Sequence, residues 1–76
     1  MEELVEYIAR SLVDHPDSVR VERIETRSAV TLELTVADSD MGRVIGRRGR
    51  VVNAMRSLVD VVARNEGKRV SLEIID

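Results

Sequence analysis

Met41-Gly42-Arg43-Val44-Ile45-Gly46-Arg47-Arg48-Gly49-Arg50-Val51-Val52 is the stretch that decides the fold. Two glycines three residues apart bracket two arginines, and these twelve residues contain no acid. Upstream, Asp38-Ser39-Asp40 offers capping side chains just before Met41, so a short helix is expected from Met41 to Ile45. Downstream, Val51, Val52, Met55, Leu58, Val59 and Val62 recur at helical spacing, with Arg56, Asp60 and Arg64 on the other face. That second helix starts at Arg50, and Gly67 sits where its C-cap belongs. Without side chains at Gly46 and Gly49, the backbone of a ligand could approach the loop closely. The free N–H groups and positive dipole end of the second helix point at the same place. Arg47 and Arg48 add charge and hydrogen-bond donors. A phosphodiester backbone is the ligand that suits such a loop.

Working outward, Leu4, Val5, Ile8 and Leu12 carry a helical period, and Glu2, Glu3 and Glu6 load its first turns with the charge the dipole favours. Pro16 ends this helix, expected over residues 2–14, by pushing the residue before it out of the helical region. A strand begins at Val19 and Val21, but Ile24 falls out of phase, which a bulge or an early strand end would explain. Val30, Leu32, Leu34 and Val36 alternate cleanly with Thr31, Glu33 and Thr35. Thr26 to Ala29 is short enough for a hairpin turn. Val70, Leu72 and Ile74 make a last strand. The expected fold class is α+β: one domain over residues 1–76, with a three-stranded mixed sheet covered on one face by three helices. The first two strands pair antiparallel; the crossover through two helices makes the second and third parallel if they are neighbours, and right-handed.

At 76 residues the chain is long enough for one compact domain, and a domain this small has a thin margin of stability. It has no cysteine, which excludes disulfides and thiolate metal sites and suits a reducing cytoplasm. The first residues are acidic where a secretory signal would be basic, and no apolar run approaches the ~20 residues of a membrane span. The net charge of −2 argues against a phosphate ligand until its distribution is read. Residues 1–25 hold seven acids and three arginines, whereas residues 41–50 hold Arg43, Arg47, Arg48 and Arg50 and no acid. Screening beyond about 8–10 Å lets such a local patch dominate what a ligand feels. Tyr7 is the only aromatic residue, so modules that stack bases on aromatic platforms are poor matches. No Ser/His/Asp arrangement, metal-ligand cluster or P-loop lysine motif is present, and His15, the only histidine, reads as an exposed loop residue. Neither an enzyme nor a cofactor is expected.

Val44-Ile45-Gly46-Arg47-Arg48-Gly49 resembles the hydrophobic-Ile-Gly-x-x-Gly signature of the KH domain family, whose loop clamps about four nucleotides of single-stranded nucleic acid. The element order resembles type II, with the extra helix and strand ahead of the common core. The resemblance covers the whole chain. It implies that Gly46, Arg47, Arg48 and Gly49 contact phosphates of single-stranded RNA. Arg43 and Arg50 could meet neighbouring phosphates or be solvated. Val44, Ile45, Val51 and Val52 are candidates to floor the groove under the bases, although some must be core. Gly42 reads as a helix-packing glycine, and Asp38 and Asp40 as helix caps rather than metal ligands. A KH domain standing alone at this length is similar to small bacterial proteins of the family. That similarity implies RNA chaperone or post-transcriptional regulatory work, a homodimer, pairing with a larger KH-containing protein, and influence on cell elongation and envelope synthesis. Two rival readings stand beside it: an interaction or dimerisation module that binds no RNA, and a domain binding a mononucleotide at the helix N-terminus.

Overall fold

The computed structural model describes residues 1–75. The first helix, α1 (Glu2–Leu12), buries Val5 and Ala9. It stops two residues short of the expected end, because Val13 is already extended (φ −98°, ψ 160°) and a single 3₁₀ turn, Pro16–Ser18, follows. Strand β1 (Arg20–Glu25) pairs antiparallel with β2 (Val30–Thr35). The tie between them is Thr26, whose N–H donates to the Ala29 carbonyl at 2.8 Å.

The pairing runs unbroken from Arg20 opposite Thr35 to Glu25 opposite Val30, so β1 has no bulge and does not stop before Ile24. Ile24 lies with Arg20 and Glu22 on the face turned away from the helices, where it is exposed. Arg23 takes the place on the covered face that Ile24 was expected to fill. Its guanidinium donates to Glu25 and to Glu2 on α1, each at 3.1 Å. The slip in the pattern therefore marks an arginine tying helix to sheet. Glu25 and then Glu2 hold the Arg23 pKa above its ordinary value.

Next come α2 (Met41–Ile45), α3 (Arg50–Asn65) and β3 (Val70–Ile75). The sheet order is β1-β2-β3, with β3 parallel to β2 and Val30 opposite Val70. The expected mixed sheet is thus observed. Leu32, Leu34, Val70 and Leu72 on the covered face meet Val5 and Ala9 of α1, Val44 of α2, and Met55, Val59 and Ala63 of α3 in one core. The open face carries a different pattern. Glu22, Glu33 and Glu73 are direct neighbours across the three strands and form one row.

α3 ends as its sequence suggests. Gly67 (φ 69°) donates to the Arg64 carbonyl and Lys68 to the Ala63 carbonyl, the paired bonds of a glycine-capped terminus. This sharp stop turns the chain straight into β3 and sets α3 along the β3 edge of the sheet.

Candidate nucleic-acid interface

The loop between α2 and α3 is built from left-handed residues. Gly46 has φ 78° and ψ 169°, Arg48 φ 58° and ψ 25°, and Gly49 φ 74° and ψ 17°. The Gly46 N–H closes α2 onto Gly42, and the Gly49 N–H returns to the Gly46 carbonyl. The two glycines have different reasons to be there. A Cβ on Gly46 would stand 2.5 Å from Val51 Cγ2 and 2.8 Å from the Val51 backbone nitrogen, so the first turn of α3 occupies the space itself. A Cβ on Gly49 would meet Asn53 and Val52 at ordinary distances, and there the backbone angle alone favours glycine. Ligand approach is not needed to explain Gly46. Nor is Gly42 a packing glycine: a Cβ there would meet open space.

Arg47, Arg48 and Arg50 are exposed on and beside this loop. Among the described residues none of the three has a hydrogen-bonded or ion-paired partner in the protein. Arg43 differs. Its guanidinium is 3.0 Å from Asp14 Oδ2 and 3.7 Å from Asp40 Oδ1, so half of the expected basic pair flanking the loop is already engaged by acids. The four apolar candidates also separate. Val44 is 0% exposed and belongs to the core, so its side chain offers a ligand no surface. Val52 is buried and Val51 packs against the core, while Ile45 stands exposed at the lip of the loop.

Asp40 is not a helix cap. It makes no capping bond to α2; the carboxylate is 1% exposed and accepts the N–H groups of Asp14 (3.1 Å) and His15 (3.0 Å). His15 Nδ1 lies 3.2 Å from the same carboxylate, on a ring that is otherwise largely exposed. Burial pushes the Asp40 pKa up, but the two backbone N–H groups and the His15 ring outweigh it and hold the pKa below its ordinary value. The result is a staple: the segment after α1 is pinned to the residue from which α2, and then the glycine loop, depart. Asp38, expected as the other cap, likewise makes no side-chain capping bond.

From the loop, α3 runs beside β3, and a cleft of about 270 Å³ lies between them, lined by Arg56, Val59, Asp60, Val70 and Leu72 among others. Arg56 Nε donates to the Leu72 carbonyl at 3.1 Å across this cleft. That carbonyl is free because β3 is an edge strand; Val30 bonds to Arg69 on the other side, so the main chain of Leu72 turns outward. Sequence reasoning assigned Arg56 to a solvated helix face and missed the cleft. The signal was present: position 56 adjoins the buried positions 52, 55 and 59, at the margin of the stripe rather than opposite it.

The model of the KhpA/KhpB KH domain matches residues 2–74. The RNA-binding protein KhpA of Caldanaerobacter subterraneus subsp. tengcongensis is 51% identical over 75 residues, covering 99% of this chain and all of that one. Its counterpart from Halalkalibacterium halodurans is 49% identical over 76 residues, with both chains fully covered. Among solved structures, a variant of Era from Aquifex aeolicus bound to GDP and aluminium fluoride superposes with a TM-score of 0.64 at 20% identity, over 96% of this chain and 28% of Era, a likeness of fold alone. With the family match running almost end to end and relatives about half identical over their whole length, the chain belongs to the KhpA/KhpB family of KH domains.

Proposed function

We propose that this chain binds single-stranded RNA, with Gly46, Arg47, Arg48 and Gly49 clamping phosphates, Arg50 assisting, and bases entering beside Ile45 and along the α3–β3 cleft. The observation that carries the reading is the left-handed loop bearing three arginines without a protein partner at the start of α3. KH loops act on unpaired nucleotides, and an aliphatic cleft holds bases where aromatic platforms are absent. The relatives are named RNA-binding proteins, which supports the same chemistry here. Arg43 is a weaker contributor because a phosphate must compete with Asp14 for it.

A second copy of the chain is the partner that the outer face of α3 fits. Leu58 (49% exposed) and Val61 (56% exposed) stand there without cover, next to Ala54. An apolar stripe on a small domain invites self-association. A homodimer would set two weak loops on one RNA and raise affinity through effective concentration. The family's name pairs KhpA with KhpB, which supports a heteromeric complex with a KhpB-like KH protein as the other assembly. Work in the cytoplasm as an RNA chaperone or post-transcriptional regulator acting on cell elongation and envelope synthesis completes the proposal.

The test is the double variant Arg47→Asp with Arg48→Asp. Both side chains are exposed, so each change should cost less than about 0.5 kcal/mol of stability. The parent should bind an unstructured RNA oligomer in preference to a perfect duplex, with a log–log salt slope of about −2 to −3 for three or four phosphates. The folded variant should show no measurable binding. Parent-like binding by that variant would remove the loop from the mechanism and leave the interaction-module reading in front.

A further inference from the structure

The twelve lysines and arginines sort by what holds them. Arg10, Arg23 and Arg43 are ion-paired, and Arg20 and Arg56 donate to backbone carbonyls. The remaining seven have no protein partner among the described residues, and they fall into two groups at opposite ends of α3. Arg47, Arg48 and Arg50 are at the glycine loop. Arg64, Lys68 and Arg69 gather at the C-terminal end of α3, and Arg27 joins them from the β1–β2 turn. The helix that carries them is sixteen residues long, about 24 Å from end to end.

The second group is not isolated from the first. Arg64, Lys68 and Arg69 line a hollow of about 270 Å³, and two of its other walls, Asp60 and Val70, also line the cleft crossed by Arg56. Lys68 and Arg69 line a further hollow with Arg27. Adjoining hollows therefore lead from the Arg56 cleft to the far cations. The negative end of the helix dipole accounts for Arg64 and Lys68. It does not account for Arg69, at the foot of β3, or for Arg27, which the β1–β2 turn brings to the same end. Glu25, Asp60 and Glu66 are nearby, yet no described acid forms an ion pair with any of the four cations. Asp60 faces the trough between the two groups with a carboxylate that has no partner among the described residues, where it can accept from base N–H groups.

We propose that Arg64, Lys68, Arg69 and Arg27 form a second phosphate platform, so that a bound strand leaves the glycine loop, lies along the α3–β3 cleft and is held again at the other end of α3. The inference rests on the RNA-binding reading above and extends its footprint beyond the roughly four nucleotides that a glycine loop clamps.

The experiment compares the full-length parent with the triple variant Arg64→Gln, Lys68→Gln, Arg69→Gln, using unstructured RNA oligomers of about four and about eight nucleotides. Melting curves verify that the variant is folded. The parent should gain affinity and salt dependence on going to the longer oligomer. The variant should bind the short oligomer like the parent, bind the longer one roughly tenfold more weakly, and lose about 2 from the magnitude of the salt slope, at 0.7 per phosphate for three contacts. A gain that comes from one strand bridging the loops of two copies would survive in the variant. An undiminished length gain in the variant overturns the second platform while leaving the loop intact. Equal weakening on both lengths also overturns it, because a diffuse field would act without a footprint. Failure of the parent to bind either oligomer overturns the RNA-binding reading itself, and the platform with it.

Discussion

Gly46 and Gly49 look equivalent in the sequence, but the backbone makes them unequal. Alanine at 46 must occupy a backbone region open essentially to glycine and must displace Val51, a main-chain atom included. We expect Gly46→Ala to cost about 2 kcal/mol or more, a fall in Tm of roughly 10 °C. Asparagine at 49 meets no crowding and tolerates the left-handed region, so Gly49→Asn should stay within about 1 kcal/mol of the parent. Equal melting of the two variants would mean that Val51 yields easily. Asp40 supports a pH prediction. Its folded pKa is lowered, so its stabilisation is fully present above the ordinary carboxylate value and is lost as pH falls through the lower, folded value. Titrating Tm downward from about pH 5 should reveal this loss in the parent. In Asp40→Asn the Asp40 part of that dependence should vanish from a lower starting Tm, since the amide leaves one of the two N–H donors without an acceptor. An unchanged acid slope would assign it to other carboxylates. The sequence suggested a role for Asp40, but the wrong one: capping is a local pattern, whereas its real partners lie 25 and 26 positions away.

At the scale of elements, most of the reading was legible because hydrophobic period is a local property. The three strands and the two longer helices appear where apolar spacing placed them, and Gly67 ends α3 as expected. Ile24 misled because a strand with one polar anchor on its covered face breaks the alternation without breaking the ladder. What no single strand could disclose is the row Glu22–Glu33–Glu73, since it exists only once register is known. Like charges directly opposite one another across a sheet are destabilising, and Glu33 has one on each side. Glu33→Gln should therefore stabilise the fold by about 0.5 kcal/mol, raising Tm by roughly 2–4 °C, most clearly at low salt. A variant that melts below the parent would show that Glu33 has a favourable partner instead.

At the scale of the molecule, a row of acids crosses the open face of the sheet, unpartnered cations stand at the two ends of α3, and Leu58 and Val61 lie exposed along its outer side. Self-association belongs to this scale. Replacing Leu58 and Val61 with serine removes exposed apolar surface and changes no residue of the buried core, so the fold should hold. Light scattering should then report half the parent's mass, and affinity for an RNA long enough to span two loops should drop at least about tenfold. A parent that is already monomeric would refute the dimer. The loop's location was legible in the sequence, whereas the cleft was not, because its second wall is formed by β3 and depends on a parallel pairing. That pairing has a kinetic consequence. Val30 meets Val70, forty positions further along, so the sheet is completed by a contact of high sequence separation, and closing such a contact is slow. A refolding chain can form α3 and the β1–β2 hairpin early, yet it has no cleft until β3 docks on β2. Binding competence in a refolding experiment should therefore rise with the slowest cooperative phase of folding and not before it.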